Sequence, residues 1–467
     1  MTERALGALA FGVGLAVASP LYAGVVRITI SSRAPVFNGQ SFGAVGPYED
    51  IKGVAVGEID PRDPHNAVIT DIELAPRNAR GLVEYRATFT LRKPVDMTRA
   101  PGVLLYNIVN RGNHNGPGTW HVGGDPGDGF LYRLGHAVLW SGWQGDMPIA
   151  SVSAAQEGID VPVATNPDGS AVTGRVWARF VGVAGRVNTQ PLPGAAGRMP
   201  VSLDTANATL ISVGSETPAG VKSGVVRIAS SDWAFADCRT VPFPGTRDPT
   251  RVCLKGGFDP DLLYELVYTA KDPYVLGVGM AAMRDVVSFF RYASADSAGT
   301  ANPIAAAVPH VVAMGNSQSG RFAKAFVNLG FNQDEHGRIV WDGLNARIAG
   351  MLGSFTTRFA QPGDIAELYD PGAEGPLWWG TTSIAFEAGP RGACSIAAPP
   401  RRPARRSQKP TAGRRSGTAA PASASPPPPA RRTSRFPTTS AATTIPARRT
   451  AVGPAASRWV RRRRRPG

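Results

Sequence analysis

The chain has 467 residues, enough to bury a large core and to form more than one compact unit. Its formal net charge is +15, but 19 of its 50 basic residues and only one of its 35 acidic residues fall within 381–467. The first 380 residues therefore carry 31 basic and 34 acidic side chains, so the basic pI belongs to the tail and predicts no nucleic-acid-binding domain in the rest of the chain.

Residues 1–23 have the features of a secretory signal peptide. Arg4 precedes an apolar run of about 14 residues that ends in small side chains. We expect cleavage after Ala18 or after Ala23, and a secreted or periplasmic protein. The alternative is a short membrane anchor, but a bilayer span needs about 20 apolar residues. No later segment is long enough, so we expect no stable membrane span.

Residues 24–100 are predicted to form an N-terminal β region. In LVEYRATFTL (82–91), apolar and polar residues alternate with the two-residue period of a strand that has one solvated face. An α/β core is predicted over 101–380. Its first strands are the continuous apolar runs at 103–110 and 136–140, which are typical of parallel strands buried on both faces.

The stretch GGDPGDG (123–129) raises the question of a calcium site at Asp125 and Asp128. Because the spacing of an EF-hand loop is absent, a plain turn is the preferred interpretation. The sequence thus predicts no metal and no cofactor.

Residues 147–270 are rich in Gly, Pro and Val without helical spacing, and we interpret them as a β-rich insertion over the sheet. Within this segment, Cys238 and Cys253 flank a Pro/Gly loop. A disulfide between them would stabilise the fold by roughly 3 kcal/mol in an oxidising compartment. The alternative is two unpaired thiols, and Cys394 has no evident partner.

A regular alternation of helices and strands follows the insertion. Apolar residues recur every four positions at Val278, Ala282, Val286 and Phe290, which predicts a helix. A strand at 311–314, a helix at Gln318–Leu329 and an apolar run at 346–355 come next. This order predicts an α/β fold with a doubly wound sheet.

Ser317 lies in VVAMGNSQSG (311–320), between the predicted strand and the predicted helix. A nucleophile elbow has this context, and it needs small neighbours because the strand and helix backbones crowd at the turn. Gly315 is one such neighbour, whereas Ser319 occupies the position where a second glycine is expected. We predict that Ser317 is a nucleophile; the alternative is a serine that caps the helix N-terminus.

Two places can supply the donors of an oxyanion hole. The backbone N–H of Gln318 follows the nucleophile and would point at the developing oxyanion. A second donor would come from the loop after the strand at 103–110, at Arg111 or Gly112; the alternative is an ordinary turn there.

Several stretches of the chain resemble the secreted bacterial proteins of the alpha/beta hydrolase domain-containing family, whose substrates are mostly unassigned. They span about residues 25–380 and are FGAVGPYEDIKGVAVGEIDP, IELAPRNARGLVEYRATF, NIVNRGN, CLKGGFDPDLLYELVYTAKDP, GNSQSGRFAKAFVNLGFNQDEHGR and GSFTTRFAQP. The resemblance implies an α/β-hydrolase-like fold with Ser317 as the nucleophile. It does not imply a substrate.

The expected acid and histidine should follow Ser317 in the chain. Beyond Gly380 there is no Asp and no His, and the composition of 381–467 predicts a disordered tail. His336 is the one histidine after Ser317, and its polar surroundings favour a solvated loop residue over a base.

A frameshift near Gly380 accounts for this gap. If each codon of residues 433–453 is read one base earlier, a choice of wobble bases allows DIPLPDNVRRYYHPGATHGGG, which resembles the segment that closes the family's catalytic domain. A histidine codon would then straddle Arg449 and Thr450. Resequencing the gene between the codons of Trp379 and Arg391 tests this hypothesis, which an unbroken frame would exclude.

Three functions remain open at this point. The first is a serine hydrolase of the ester type that acts on a small-molecule ester and is impaired as written. The second is a non-catalytic or degraded hydrolase-fold protein. The third is a polybasic tail that binds nucleic acid or anionic membrane through WVRRRRRPG (459–467), without the features of a specific nucleic-acid binder.

Overall fold

The computed structural model describes residues 24–116, 120–183, 185–217, 220–349, 356–360 and 362–363. All of these residues lie within the unit Met1–Phe386. The predicted signal peptide, Cys394, the tail 381–467 and most of the apolar run at 346–355 lie outside the described residues.

Strands outnumber helices along the described chain. The strands are β1 (Gly24–Pro35), β2 (Tyr48–Ile59), β3 (Val83–Pro94), β4 (Val103–Asn107), β5 (Ala137–Ser141), β6 (Ile159–Asp160), β7 (Thr173–Phe180), β8 (Val187–Pro191), β9 (Met199–Pro200), β10 (Thr209–Val213), β11 (Ser215–Glu216), β12 (Lys222–Ser223), β13 (Val226–Ile228), β14 (Trp233–Ala234), β15 (Ala236–Asp237), β16 (Thr246–Arg247), β17 (Arg251–Phe258), β18 (Leu263–Lys271), β19 (His310–Asn316) and β20 (Gly343–Arg347). The α-helices are α1 (Phe130–Arg133), α2 (Val278–Tyr292) and α3 (Gln318–Asn328).

A mixed sheet of eight described strands forms the centre of the molecule. Its order is β1-β2-β3-β5-β4-β19-β20, with β6 paired to β3. Strands β5, β4, β19 and β20 run parallel to one another, and β1, β2 and β3 are antiparallel to their neighbours. The N-terminal β region therefore extends the same sheet that carries the α/β core.

The alternating pattern of β3 matches its burial. Val83, Tyr85 and Ala87 are buried, while Glu84 and Arg86 are exposed. In β4 and β5 the apolar residues lie on both faces, as parallel central strands require. The two periodicities thus correspond to two different positions in one sheet.

Both long helices pack on the same face of this sheet. On α2, Phe290 contacts Phe89 of β3 with ring centroids 5.2 Å apart. On α3, Phe326 stacks at 4.1 Å on Trp341, which in turn stacks on Tyr106 of β4. Phe89 and Tyr106 lie on the same face of the sheet. Ser141 of β5 pairs directly with Phe89, and the Ser141 hydroxyl lies 2.8 Å from the Tyr106 hydroxyl.

The opposite face is partly open. Leu105, Val138 and Val312 are cross-strand neighbours there and line an apolar cavity of about 360 Å³. Among the described residues, the four-residue α1 is the only α-helix that covers this face. The described chain is thus an α/β sheet with its long helices on one side, and the doubly wound arrangement of the sequence prediction is not completed within it.

Residues 173–271 build a second, smaller β structure. Its larger sheet has the order β13-β10-β18-β7, with β9 paired to β18, and a three-stranded sheet has the order β14-β17-β8. Trp233 and Phe235 lie in the core of this region. The predicted disulfide joins Cys238 and Cys253, whose Cα atoms are 5.7 Å apart, and is confirmed.

The last described strand differs from its sequence prediction. It spans Gly343–Arg347 and begins before the apolar run at 346–355. As the edge strand of the described sheet it is only partly buried, so it carries no continuous apolar signal. No helix in the described ranges is long and apolar enough to cross a membrane.

Candidate active site

Ser317 lies at the turn that joins β19 to α3, with φ of 55° and ψ of −119°. A positive φ at a residue with a side chain is strained and persists only where the surrounding structure enforces it. Ser317 precedes α3, but its side chain makes no capping hydrogen bond. The geometry therefore does not support the helix-cap alternative.

Backbone hydrogen bonds hold this turn on both sides. The Ser317 N–H donates to the Arg347 carbonyl of β20 at 2.9 Å, and the Ser317 carbonyl accepts from the Arg321 N–H at 3.0 Å. Gly320 allows this close approach, since a Cβ at its position would lie 2.6 Å from the Arg347 carbonyl oxygen. The turn is thus clamped between the next parallel strand and the first turn of α3.

Ser319, at the position where a glycine was expected, has a structural role. It is 1% exposed, and its hydroxyl donates to the Val109 carbonyl at 2.9 Å. Val109 precedes the loop of the oxyanion candidates. The second serine therefore ties the elbow to the loop that follows β4, which a glycine could not do.

Gln144 connects the two groups of oxyanion candidates. Its Oε1 accepts the Arg111 backbone N–H at 2.6 Å, and its Nε2 donates to the Gln318 side chain at 2.9 Å. Gln144 is 2% exposed, so these bonds are shielded from water. No sequence signal identified Gln144, because a glutamine after a buried strand belongs to no catalytic motif.

The three predicted oxyanion residues therefore differ in whether their backbone N–H groups already have an acceptor. The Arg111 N–H is already engaged by Gln144. The Gln318 N–H, at the start of α3, and the Gly112 N–H have no acceptor among the described residues. Gly112 has a φ of 75°, and a Cβ there would lie 2.7 Å from the Glu157 carbonyl oxygen, so this turn requires a glycine.

A pair formed by the partly buried His114 and the buried Glu157 supports the same loop. His114 Nε2 lies 2.9 Å from Glu157 Oε1, and its ring stacks on Trp140 at 4.5 Å. Glu157 also accepts the hydroxyl protons of Thr88 and Thr90 from β3. The Glu157 N–H also donates to the Gly112 carbonyl at 2.9 Å, so we assign the pair a role in holding the loop in place.

A polar cavity of about 370 Å³ opens beside this loop. Arg111 and Asp146 form one wall with an ion pair of 2.8 Å, and the small residues 193–196 of the β-rich region form another. Gly363 completes the lining, and the neighbouring Pro362 carbonyl accepts a hydrogen bond from the Gln318 side chain. Burial raises the pKa of nearby Tyr274, with the Asp146 carboxylate adding to the effect, so its phenol stays protonated.

Neither a histidine nor a carboxylate hydrogen-bonds the Ser317 hydroxyl within the described part of the chain. The six histidines of the chain lie in other surroundings. Four lie near carboxylates: His65 with Asp63, His114 with Glu157, His121 with Asp125 and His310 with Asp342. His136 lines the apolar cavity, where burial lowers its pKa, and His336 lies exposed in the turn 334–338.

The acidic turn at 123–129 has structural contacts. Asp125 accepts from Tyr132 at 2.6 Å and pairs with Arg92 at 2.8 Å, and Asp128 accepts the Val122 N–H at 3.2 Å. These bonds agree with the plain-turn interpretation. In the described segments no group of three or more His, Cys, Asp or Glu residues is placed to hold a metal ion.

Comparison with known proteins finds a family match over part of the chain. Residues 203–375 match the family model described as an alpha/beta hydrolase domain. The search of curated proteins and the search of solved structures found no match. The match confirms the resemblance to alpha/beta hydrolase domain-containing proteins, and it includes Ser317, the disulfide and β20.

Proposed function

We propose that the protein is a secreted serine hydrolase that acts on a small-molecule ester, with Ser317 as the nucleophile. The observation that carries the proposal is the strained backbone of Ser317 at a strand-to-helix turn, inside a domain matched to the alpha/beta hydrolases. Such a turn presents the serine Oγ away from the strand and helix backbones.

In this mechanism Ser317 Oγ attacks the ester carbonyl carbon, and a base takes the hydroxyl proton. The carbonyl oxygen becomes an oxyanion, which the N–H groups of Gln318 and Gly112 would stabilise. Collapse of the tetrahedral intermediate breaks the bond to the alkoxy oxygen, which takes the proton back from the base and leaves as the alcohol. Water then hydrolyses the acyl-enzyme. Gln144 keeps the loop beside the turn, because it bonds both the Arg111 backbone N–H and the Gln318 side chain.

We also propose that the reading frame shifts near Gly380 and that the base and the acid are encoded beyond that point in the restored frame. The histidine contacts described above support this assignment, because none of them leads to Ser317. A second observation is the buried Asn316 Oδ1 beside the nucleophile, which has no hydrogen-bond partner among the described residues. Buried polar atoms are normally paired, so further chain is expected to complete this site.

We extend the same proposal to the architecture. A doubly wound sheet needs helices over the Leu105, Val138 and Val312 face, and we propose that chain encoded in the restored frame covers this apolar face. The proposal keeps the domain limits predicted from sequence, a core over 101–380 and an insertion over 147–270.

Labelling with a fluorophosphonate probe tests the nucleophile. The protein is produced from the gene as written and from a gene with the frame restored near Gly380. We expect strong labelling of the restored protein, its loss in Ser317→Ala, and its retention in Ser294→Ala, a control at an exposed position. Labelling that survives Ser317→Ala would remove Ser317 from the mechanism.

The second candidate is a non-catalytic hydrolase-fold protein, and the same missing contacts favour it for the chain as written. Loss of triad members costs several powers of ten in rate. The protein with the frame restored discriminates between the two candidates. Turnover of a simple aryl ester, abolished in Ser317→Ala, supports the hydrolase, whereas a folded but inactive restored protein supports the non-catalytic relative.

A further inference from the structure

A second polar cavity, of about 430 Å³, shares no lining residue with the candidate active site. Its walls are the start of β1 (24–26), the last turns of α2, the segment 293–297 and the turn 334–338. The start of β1 is fixed in this position. Ser297 donates its backbone N–H to the Val26 carbonyl at 3.1 Å, and Asp296 accepts the Ile28 N–H at 2.9 Å.

The charged groups around this cavity are mainly acidic. Carboxylates come from Asp285, Asp296, Asp334 and Glu335, and the exposed His336 also lines the cavity. Their cationic partners are Arg284, which pairs with Asp285 at 2.7 Å and with Glu335 at 3.0 Å, and Arg338, which pairs with Asp334 at 2.9 Å. Four carboxylates therefore face two arginines, and a further cation would balance the local charge.

Ser288 adds an observation that does not depend on charge. It is 5% exposed and lines the cavity, and its hydroxyl has no hydrogen-bond partner among the described residues. A buried hydroxyl is normally satisfied by a partner. Burial raises the pKa of Glu335 to about 7, and the Asp285 carboxylate adds to this effect, so a cation bound here would favour the ionised form of Glu335.

Gly24 supplies a group of the required chemistry. It is the first residue of β1 and part of the cavity wall, and an added Cβ there would meet open space. The sequence leaves open whether the signal peptide is cleaved after Ala18 or after Ala23. Hydrolysis of the Ala23–Gly24 bond by a processing peptidase adds one water, leaving a carboxylate on Ala23 and an amine on Gly24. That amine is charged at neutral pH, since α-amino groups titrate near about 8.

We propose that processing occurs after Ala23 and that the α-ammonium group of Gly24 binds in this cavity, donating hydrogen bonds to the Ser288 hydroxyl and to the neighbouring carboxylates. An ammonium group has three donors and no acceptor, which fits a site made of carboxylates and one free hydroxyl. The inference rests on the export part of the proposed function. It is independent of catalysis by Ser317.

N-terminal sequencing of the exported protein is the first test. The expected first residue is Gly24, and a chain that begins at Ser19 would overturn the proposal. This result is independent of activity, so a frame-restored protein that is correctly processed but inactive would contradict the hydrolase and not the ammonium site.

The second test compares two full-length proteins, released from an N-terminal fusion so that they begin at Gly24 or at Ser19. Ser288→Ala is expected to lower the Tm of the Gly24 form by at least about 2 °C and to leave the Ser19 form unchanged. The Ser19 form carries its α-amine five residues before Gly24 and has a peptide bond at Gly24, so that form is the matched control. Equal effects of Ser288→Ala in both forms would overturn the proposal.

Acetylation of the α-amine tests whether the cavity binds the chain's own α-ammonium group or a free amine from solution. Nα-acetylation of the Gly24 form should lower its Tm to that of the Ser19 form, and an unchanged Tm would contradict the proposal. Methylammonium chloride is the probe for a free amine. If it raises the Tm of the Ser19 form and of the Gly24 form equally, the cavity takes a free amine and the α-ammonium assignment is wrong.

Discussion

Gly320→Ala is the most informative single change at the serine turn. The added methyl group would lie 2.6 Å from the Arg347 carbonyl oxygen and 2.9 Å from the Gly315 carbonyl oxygen. Both distances are shorter than a carbon–oxygen contact allows, and both partners are backbone atoms that cannot rotate away. The methyl group must push β20 away from α3, which strains the hydrogen bond from the Ser317 N–H to Arg347.

Overpacking of this kind costs about 1–3 kcal/mol of unfolding free energy. We expect urea unfolding to show this loss, and fluorophosphonate labelling of the frame-restored protein to slow with it. Gly256→Ala is the matched control, because its Cβ would meet no atom within 4 Å and its φ is not positive. A Gly320→Ala protein as stable and as readily labelled as the Gly256→Ala protein would refute the close approach that we describe.

Three further predictions address other parts of the molecule. Replacement of both Cys238 and Cys253 by alanine should lower the unfolding free energy in urea by roughly 3 kcal/mol, and an unchanged midpoint would argue against the disulfide. Gln144→Leu should slow probe labelling by up to about 100-fold through misplacement of the Arg111 loop; the exposed Gln333→Leu is its control, and equal rates would exclude a positioning role. Because the folded state raises the pKa of Glu335 from 4.5 to about 7, it binds this proton more tightly than the unfolded state, and stability should fall as pH rises between those values. Glu335→Gln should remove this component, and a pH–stability profile identical to the parent's would contradict it.

The sequence predicted those features whose signal is local. The two-residue alternation at 82–91 gave β3, and the four-residue spacing from Val278 gave α2. The run VVAMGNSQSG gave both the end of β19 and the start of α3, because a turn between buried elements restricts the residue types it can hold. The cysteine pair was predictable because both residues flank one short loop.

Features that depend on contacts between distant segments could not be predicted in this way. Gln144 lies 174 positions before Gln318, and only the fold brings their side chains together. The strand β20 was predicted too late in the chain, since an edge strand can be polar and carries little periodic signal. The arrangement of both long helices on one face likewise depends on cross-strand register and not on any single segment.

Mass spectrometry of the probe-labelled, frame-restored protein tests whether Ser317 is the nucleophile, because trypsin releases Ser317 in a single peptide, 292–321. We expect one adduct on this peptide, with fragment ions that place it on Ser317. An adduct on Ser319 or on a different peptide, with Ser317 unmodified, would contradict it.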